Sequence, residues 1–246
     1  LIAQAVSAVL VTVTLMYRTE GMKLCLSQIR MYKRMLQSIL KIGLPAGFEA
    51  IMYSISNIIV QVSINNFGVD TMAAWTAYSK IDFIFWMINS AFGISVMTFV
   101  GQNYGAGKWD RIRRGTKICL GMALISAVSV SIILMSAERF LFGIFVNDAG
   151  VVEIGIRMMN VIAPAYLLFA FIEVFSGALR AQGAVVVSTL ITMVGICVLR
   201  MIWVTLVAAH GTLEQVIICY PITWAAGALA MSIYYIYKQR KIFQAR

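Results

Sequence analysis

The sequence predicts an all-α, polytopic transmembrane helix bundle: a six-helix lobe preceded by part of one further span. Hydrophobic residues make up 61% of the 246 positions and charged residues only 12%, whereas a soluble domain runs at about 45 to 50% apolar and about 25% charged. The mean hydropathy is +0.87. The apolar runs also meet the roughly 20 residues that a spanning helix needs, and they do not break into the alternating segments of about ten residues that build a membrane β-barrel. These observations exclude a soluble enzyme, a disordered chain and a disulfide scaffold.

Span A covers 1–17. Leu1 already lies inside its apolar run, without the basic segment or small-residue cleavage site of a secretory leader, so the chain is expected to begin partway along a spanning helix of a longer protein. Residues 18–41 form a connector in which Cys25, Ile29, Tyr32, Leu36 and Ile39 recur at helical spacing, with Arg30, Lys33, Arg34 and Lys41 on the other side. That pattern predicts an amphipathic helix lying on the inner leaflet, basic face toward anionic lipid; a solvated linker is the alternative. The six-helix lobe occupies 42–238, with span B at 42–66, C at 72–100, D at 116–137, E at 154–178, F at 184–208 and G at 214–237. A basic tail, 239–246, follows.

The charges sort by side of the membrane. Arg18, Lys23, Arg30, Lys33, Arg34 and Lys41, then Lys108, Arg111, Arg113, Arg114 and Lys117, then Arg180, then Lys238, Arg240, Lys241 and Arg246 all fall in alternate connections or the tail. The intervening connections hold only Arg139. By the positive-inside rule the connector and the C-terminus are cytoplasmic, in a multi-pass protein of the plasma membrane. The net charge of +10 is thus a matter of topology and membrane lipid, not of nucleic acid. Four cysteines, Cys25, Cys119, Cys197 and Cys219, have neither CxxC pairing nor metal-ligand spacing, so each is expected to be a small, buried, reduced residue, and no metal or cofactor is implied.

Ionisable groups inside a bilayer are costly and mark pathways or partners. Glu49 on span B and Glu173 on span E both fall roughly 10 Å from the cytoplasmic edge, counting about 1.5 Å per residue, and are expected to face one inner chamber. There they serve proton or cation coupling, or a helix-packing hydrogen bond as protonated acids. Lys80, Asp82 and Arg200 share a depth in the outer half and are expected to form an intramembrane charge cluster, with an Asp82 to Arg200 ion pair. Glu153 and Arg157 are spaced for a surface pair. On span B, Glu49, Tyr53, Asn57, Gln61 and Asn65 repeat every four residues. The repeat makes a slanted polar stripe suited to lining a pathway or to interhelical hydrogen bonding, with Ser56 beside it.

Pro164 and Pro221 fall well inside spans E and G and predict kinks; Pro45 is expected in the first turn of span B, where a missing N–H is harmless. His210, the only histidine, falls in the short outer loop between F and G. The stretch Gly101-Gln102-Asn103-Tyr104-Gly105-Ala106-Gly107-Lys108 resembles a nucleotide loop superficially. A Walker A loop, however, has four residues between its first Gly and Gly-Lys, then Ser or Thr, and follows a strand. Here five intervene, Trp109 follows and a spanning helix precedes, so energy is expected from an ion gradient and not from ATP.

The same Gly101–Lys108 stretch with Arg111 behind it, Ile42-Gly43-Leu44-Pro45-Ala46-Gly47, Ala73-Ala74-Trp75-Thr76-Ala77 and Gly177-Ala178-Leu179-Arg180 together resemble the multidrug and toxic compound extrusion (MATE) family. The resemblance covers about residues 1 to 240, the end of a sixth span plus the whole C-terminal lobe of a twelve-helix transporter. It implies two six-helix lobes around a central cavity, with the N-terminal lobe as partner. It also implies export of drugs or organic cations, small amphipathic substrates, in antiport with H+ or Na+. The coupling ion binds acidic and amide side chains of the first span of this lobe in some members, which points to Glu49, Tyr53, Asn57 and Gln61, with Glu173 on span E. The family glutamate position falls on Tyr53, one turn beyond Glu49, and Phe169 stands where an aspartate precedes Glu173. A lipid-linked sugar or metabolite exporter of the same superfamily is the competing reading, and would call for a strongly cationic cavity around Lys80 and Arg200. Neither reading implies an enzyme: no His or Cys constellation and no paired Asp motif is present.

Overall fold

The computed structural model describes residues 1–17, 24–25, 30–207 and 211–244. Outside them lie Arg18, Lys23, Ile29, His210 and Arg246, and with these part of the expected amphipathic connector. Among the described residues the regular structure is helical, and six helices are long and apolar enough to cross a membrane. The chain divides into two units, Leu1–Lys41 and Ile42–Arg246.

In the first unit α1 (Ile2–Tyr17) has no buried residue. Its threonines return their hydroxyls to the helix, Thr12 Oγ1 donating to the Ala8 carbonyl at 2.7 Å and Thr14 to that of Leu10 at 2.8 Å, which spares an apolar surface two unsatisfied donors. Cys25 is exposed, against expectation. Helix α2 (Lys33–Asn65) starts well before the predicted span B, because Leu36, Ile39 and Ile42 continue one helical pattern with no stop signal at the expected boundary. Arg30 and Tyr32 precede it. Pro45 consequently lies inside α2 and not in its first turn, and leaves the carbonyl four residues back without its helical donor.

The second unit continues through α3 (Val69–Gly105), α4 (Trp109–Ser136), a short α5 (Glu138–Phe145), α6 (Ala149–Ile162), α7 (Tyr166–Ala181), α8 (Val185–Thr192), α9 (Leu199–Ile202), α10 (Leu213–Ile217) and α11 (Cys219–Gln244), with α6 and α7, α8 and α9, and α10 and α11 each forming one interrupted span. The glycine-rich stretch closes α3 and turns the chain into α4. Gly107 adopts φ +68°, its N–H bonds the Tyr104 carbonyl at 3.1 Å, and the Lys108 N–H bonds that of Asn103 at 2.9 Å. This pair of bonds is a Schellman cap, which needs a left-handed residue that glycine adopts without cost. The α7/α8 turn repeats it, with Gly183 at φ +79° and bonds from Gly183 to Arg180 and from Ala184 to Leu179. The phosphate-loop resemblance of 101–108 is therefore a helix terminus.

Pro164 falls in a single 3₁₀ turn, Ala163–Ala165, that interrupts α6 and α7. Pro221 sits in the first turn of α11, just past a break at Ile218. The 3₁₀ turn interrupts span E at Pro164, whereas Pro221, expected well inside span G, occupies a first turn, where its missing N–H is harmless. Span F holds a feature with no counterpart in the sequence reading: wide π turns at Met193–Val198 and Trp203–Val207 flank α9, each inserting a residue and shifting the helical register.

Bulky side chains such as Phe83, Ile118, Ile125 and Ile132 are exposed, while Phe85, Met158, Tyr166 and Trp224 are buried, as expected for a bundle whose solvent is lipid. Lipid tails are as apolar as leucine, so close packing must hold the helices together. Small residues provide it. A methyl group on Gly177 in α7 would meet the Gly93 carbonyl oxygen in α3 at 2.8 Å, and one on Gly195 would meet the Gly227 Cα at 3.3 Å. At one end of the bundle Arg139 pairs with Glu153 at 3.2 Å and Arg157 with Glu214 at 3.5 Å. The expected Glu153–Arg157 pair is replaced because partners on other helices are within reach.

Candidate functional site

Two cavities lie along α2, at different heights in the second unit. The first, of about 420 Å³, is walled by Glu49 and Tyr53 from α2, Trp86, Asn89 and Gly93 from α3, Glu173 and Arg180 from α7, and Thr192 from α8. Glu49 and Glu173 thus face one chamber, as their depths suggested. They differ in surroundings. Glu49 is buried and anchored by Arg180, whose Nη2 lies 2.7 Å from each carboxylate oxygen, and by Thr189 Oγ1, which donates to Oε2 at 3.0 Å. Arg180 stands in the last turn of α7, where the helix dipole favours a cation. Glu173 has no hydrogen-bond donor or ion-pair partner among the described residues. Its side chain lies over Gly93, which leaves room where any Cβ would collide with the carboxylate.

The second cavity, of about 290 Å³, is lined by Asn57 and Gln61 from α2, Asp82 and Trp86 from α3, and Tyr220 and Trp224 from α11, with Trp75 and Tyr78 closing it. The polar stripe of α2 therefore lines both chambers: Glu49 and Tyr53 border the first, Asn57 and Gln61 the second, and Gln61 Nε2 donates to Asn65 Oδ1 at 2.8 Å. Asp82 accepts from the Tyr166 hydroxyl on one oxygen and from Trp86 Nε1, at 2.5 Å, on the other. Tyr166 is held by Tyr78, their hydroxyls 3.1 Å apart, and by Phe85, stacked on its ring at 3.8 Å. The Asp82 carboxylate has no cationic partner among the described residues, and its walls are aromatic faces, which attract cations.

The expected cluster of Lys80, Asp82 and Arg200 does not form. Lys80 is exposed and, with Thr76, borders a recess that adjoins the second cavity and shares Gln61 and Trp75 with it. Being two residues from Asp82, it points to another side of α3. Arg200 is buried, but its Nη1 donates to Asn57 Oδ1 at 3.3 Å and its guanidinium sits 4.2 Å above the Tyr220 ring. An aromatic face stands where a carboxylate was expected, and the Arg200 Nε has no partner among the described residues.

Sequence reasoning missed Arg180, Thr189, Trp86 and Tyr166. Arg180 had a usable signal: it follows Glu173 by seven residues, two turns along one face of a helix. The others are ordinary apolar-run residues whose roles come only from tertiary neighbours.

Comparison with known proteins agrees with this architecture. The profile of the MatE family matches residues 45–206. The chain is 25% identical over 219 residues to the probable multidrug resistance protein YoeA of Bacillus subtilis (strain 168), covering 87% of this chain and 47% of that protein. It is 22% identical over 158 residues to multidrug and toxin extrusion protein 1 of Homo sapiens, covering 62% and 28%. The solved outward-facing conformation of a multidrug resistance MATE family transporter of the MOP superfamily shares the fold with a TM-score of 0.88 at 16% identity, over 99% of this chain and 55% of that one. The chain spans about half the length of YoeA and of that transporter. With the profile running from Pro45 in α2 through the π turns of span F, and the helical architecture matched over nearly the whole chain, this chain belongs to the MatE family.

Proposed function

We propose that this chain forms the C-terminal lobe of a longer transporter that exports organic cations or other amphipathic drugs in exchange for H+ or Na+. Its basic end, with the Gly107 and Gly183 turns and the tail, faces the cytoplasm of the plasma membrane, and an N-terminal lobe completes the central cavity. Glu173 takes the coupling ion, and the aromatic pocket around Asp82 holds the cationic part of the substrate.

The observation that carries this reading is a pair of carboxylates, Glu173 in one chamber and Asp82 in the other, that form no ion pair among the described residues. An anion held in a low-dielectric site is costly without a counter-charge, so each chamber favours a cation from outside. The names of the relatives, multidrug resistance and toxin extrusion proteins, support the substrate class. A lipid-linked sugar exporter would instead need converging cations, and Lys80 and Arg200 point into different surroundings.

The test is uptake of a lipophilic cation into inverted vesicles carrying the intact transporter, under an imposed proton or sodium gradient. Gradient-driven uptake abolished by Glu173→Gln supports antiport with coupling in this lobe. Uptake unaffected by that substitution moves coupling elsewhere, and no uptake under either gradient overturns the antiport reading.

A further inference from the structure

The first chamber is lined by two glutamates and one arginine. Arg180 spends its Nη2 on Glu49, while its Nε is buried with no partner among the described residues. The same chamber holds Glu173, on the same helix and two turns back, which is about 10.5 Å along the axis. Side chains of an α-helix lean toward its N-terminus, so Arg180 already leans toward Glu173.

We propose that Arg180 is a tethered cation that alternates between Glu49 and Glu173 and so governs when Glu173 can hold the coupling ion. The proposal rests on the reading of Glu173 as the coupling acid. In the arrangement seen, Arg180 and Thr189 tie α2, α7 and α8 together through Glu49, and Glu173 is left to a cation from solution. When the helices part at this end, the tie to Glu49 breaks. The Arg180 side chain is 28% exposed, and a partly buried guanidinium that loses its carboxylate is unfavourable; Glu173 is the other acid lining the chamber. Arg180 then displaces the ion from Glu173, so that opening the basic end and releasing the ion are one event. Arg180 acts as a positioning residue, through Glu173, and does not itself touch the ion.

The experiment uses the intact transporter with Glu49→Gln, Arg180→Gln, the double substitution Glu49→Gln/Arg180→Gln, and Glu173→Gln as the reference for lost coupling. Removing Glu49 alone hands Arg180 to Glu173, and gradient-driven uptake falls by about tenfold or more; removing Arg180, alone or together with Glu49, leaves Glu173 open to its ion but without the cation that expels it, so Arg180→Gln and the double variant both stay well below the parent in uptake while their Glu173 is accessible. A second readout does not need transport: covalent labelling of Glu173 by dicyclohexylcarbodiimide, located by mass spectrometry. Labelling is expected in the parent, lost in Glu49→Gln and recovered in the double variant. A double variant whose Glu173 stays as unlabelled as in Glu49→Gln, or one that transports like the parent, at parental membrane abundance and thermal stability, overturns the proposal, as does a Glu49→Gln variant that transports and labels like the parent. If the parent shows no gradient-driven uptake, the antiport reading fails by itself, while the labelling series still decides whether Arg180 moves.

Discussion

Gly177 of α7 packs so tightly on Gly93 of α3 that a single methyl on the former would meet the carbonyl oxygen of the latter at 2.8 Å. This crossing sets the floor of the first chamber, because Glu173 on α7 lies over Gly93. Gly177→Ala is expected to destabilise the protein by about 1 to 3 kcal/mol, the usual cost of overpacking a rigid contact. Gly121→Ala in α4, where a methyl meets nothing within 4 Å, is expected to be neutral or slightly stabilising. Thermal unfolding of the two variants in detergent checks the contrast.

The Asp82 carboxylate is oriented by two donors, and only one of them can be removed without opening a large hole. Tyr166→Phe keeps the ring stacked on Phe85 and deletes the hydroxyl that reaches Asp82. The expected loss in stability is about 0.6 to 1.7 kcal/mol, the range for hydrogen bonds between membrane helices, again read by thermal unfolding.

Under the proposed function, Asp82→Asn keeps the shape of the second chamber and deletes its charge. Affinity for a lipophilic monocation is expected to fall by about tenfold or more, since the aromatic faces remain but a desolvated opposite charge, whose bonds are worth about 1.5 to 3 kcal/mol, is lost. Affinity for a neutral analogue of the same size is expected to change little. Equilibrium binding of the two compounds to purified transporter separates the outcomes.

Arg200 and Asp82 share a depth without sharing a bond. A double-substitution cycle with Asp82→Asn and Arg200→Gln is expected to give an interaction energy within about 0.5 kcal/mol of zero, whereas the Glu49 and Arg180 cycle gives one of about 1 to 3 kcal/mol. Arg200→Lys is expected to be less stable than Arg200→Met, because lysine lacks the planar group that stacks on Tyr220, and an apolar side chain carries no charge to desolvate. Melting temperatures of the six single variants and the two doubles decide it.

The fold was legible because spanning length, charge asymmetry and proline position are properties of one segment at a time. Counting residues from a helix end gives depth, and depth correctly placed Glu49 and Glu173 in one chamber. It gives no angle around the helix, which is why Lys80 and Asp82, two residues apart, were grouped although they face different ways. Asp82 and Arg200 were joined for the same reason, although Tyr220 takes the arginine. The start of α2 was missed because an amphipathic stretch and an apolar span can run on as one helix without a break. The π turns around Arg200 depend on packing such as that between Gly195 and Gly227, which no local pattern announces.

Trp86 borders both chambers, and its indole nitrogen is bonded to Asp82. An occupant of either chamber therefore presses on the same ring. Any displacement of that ring by one guest alters the energy of the other, and by thermodynamic reciprocity the effect is equal in both directions. A single shared wall is thus a minimal physical basis for two sites to exchange free energy without touching each other.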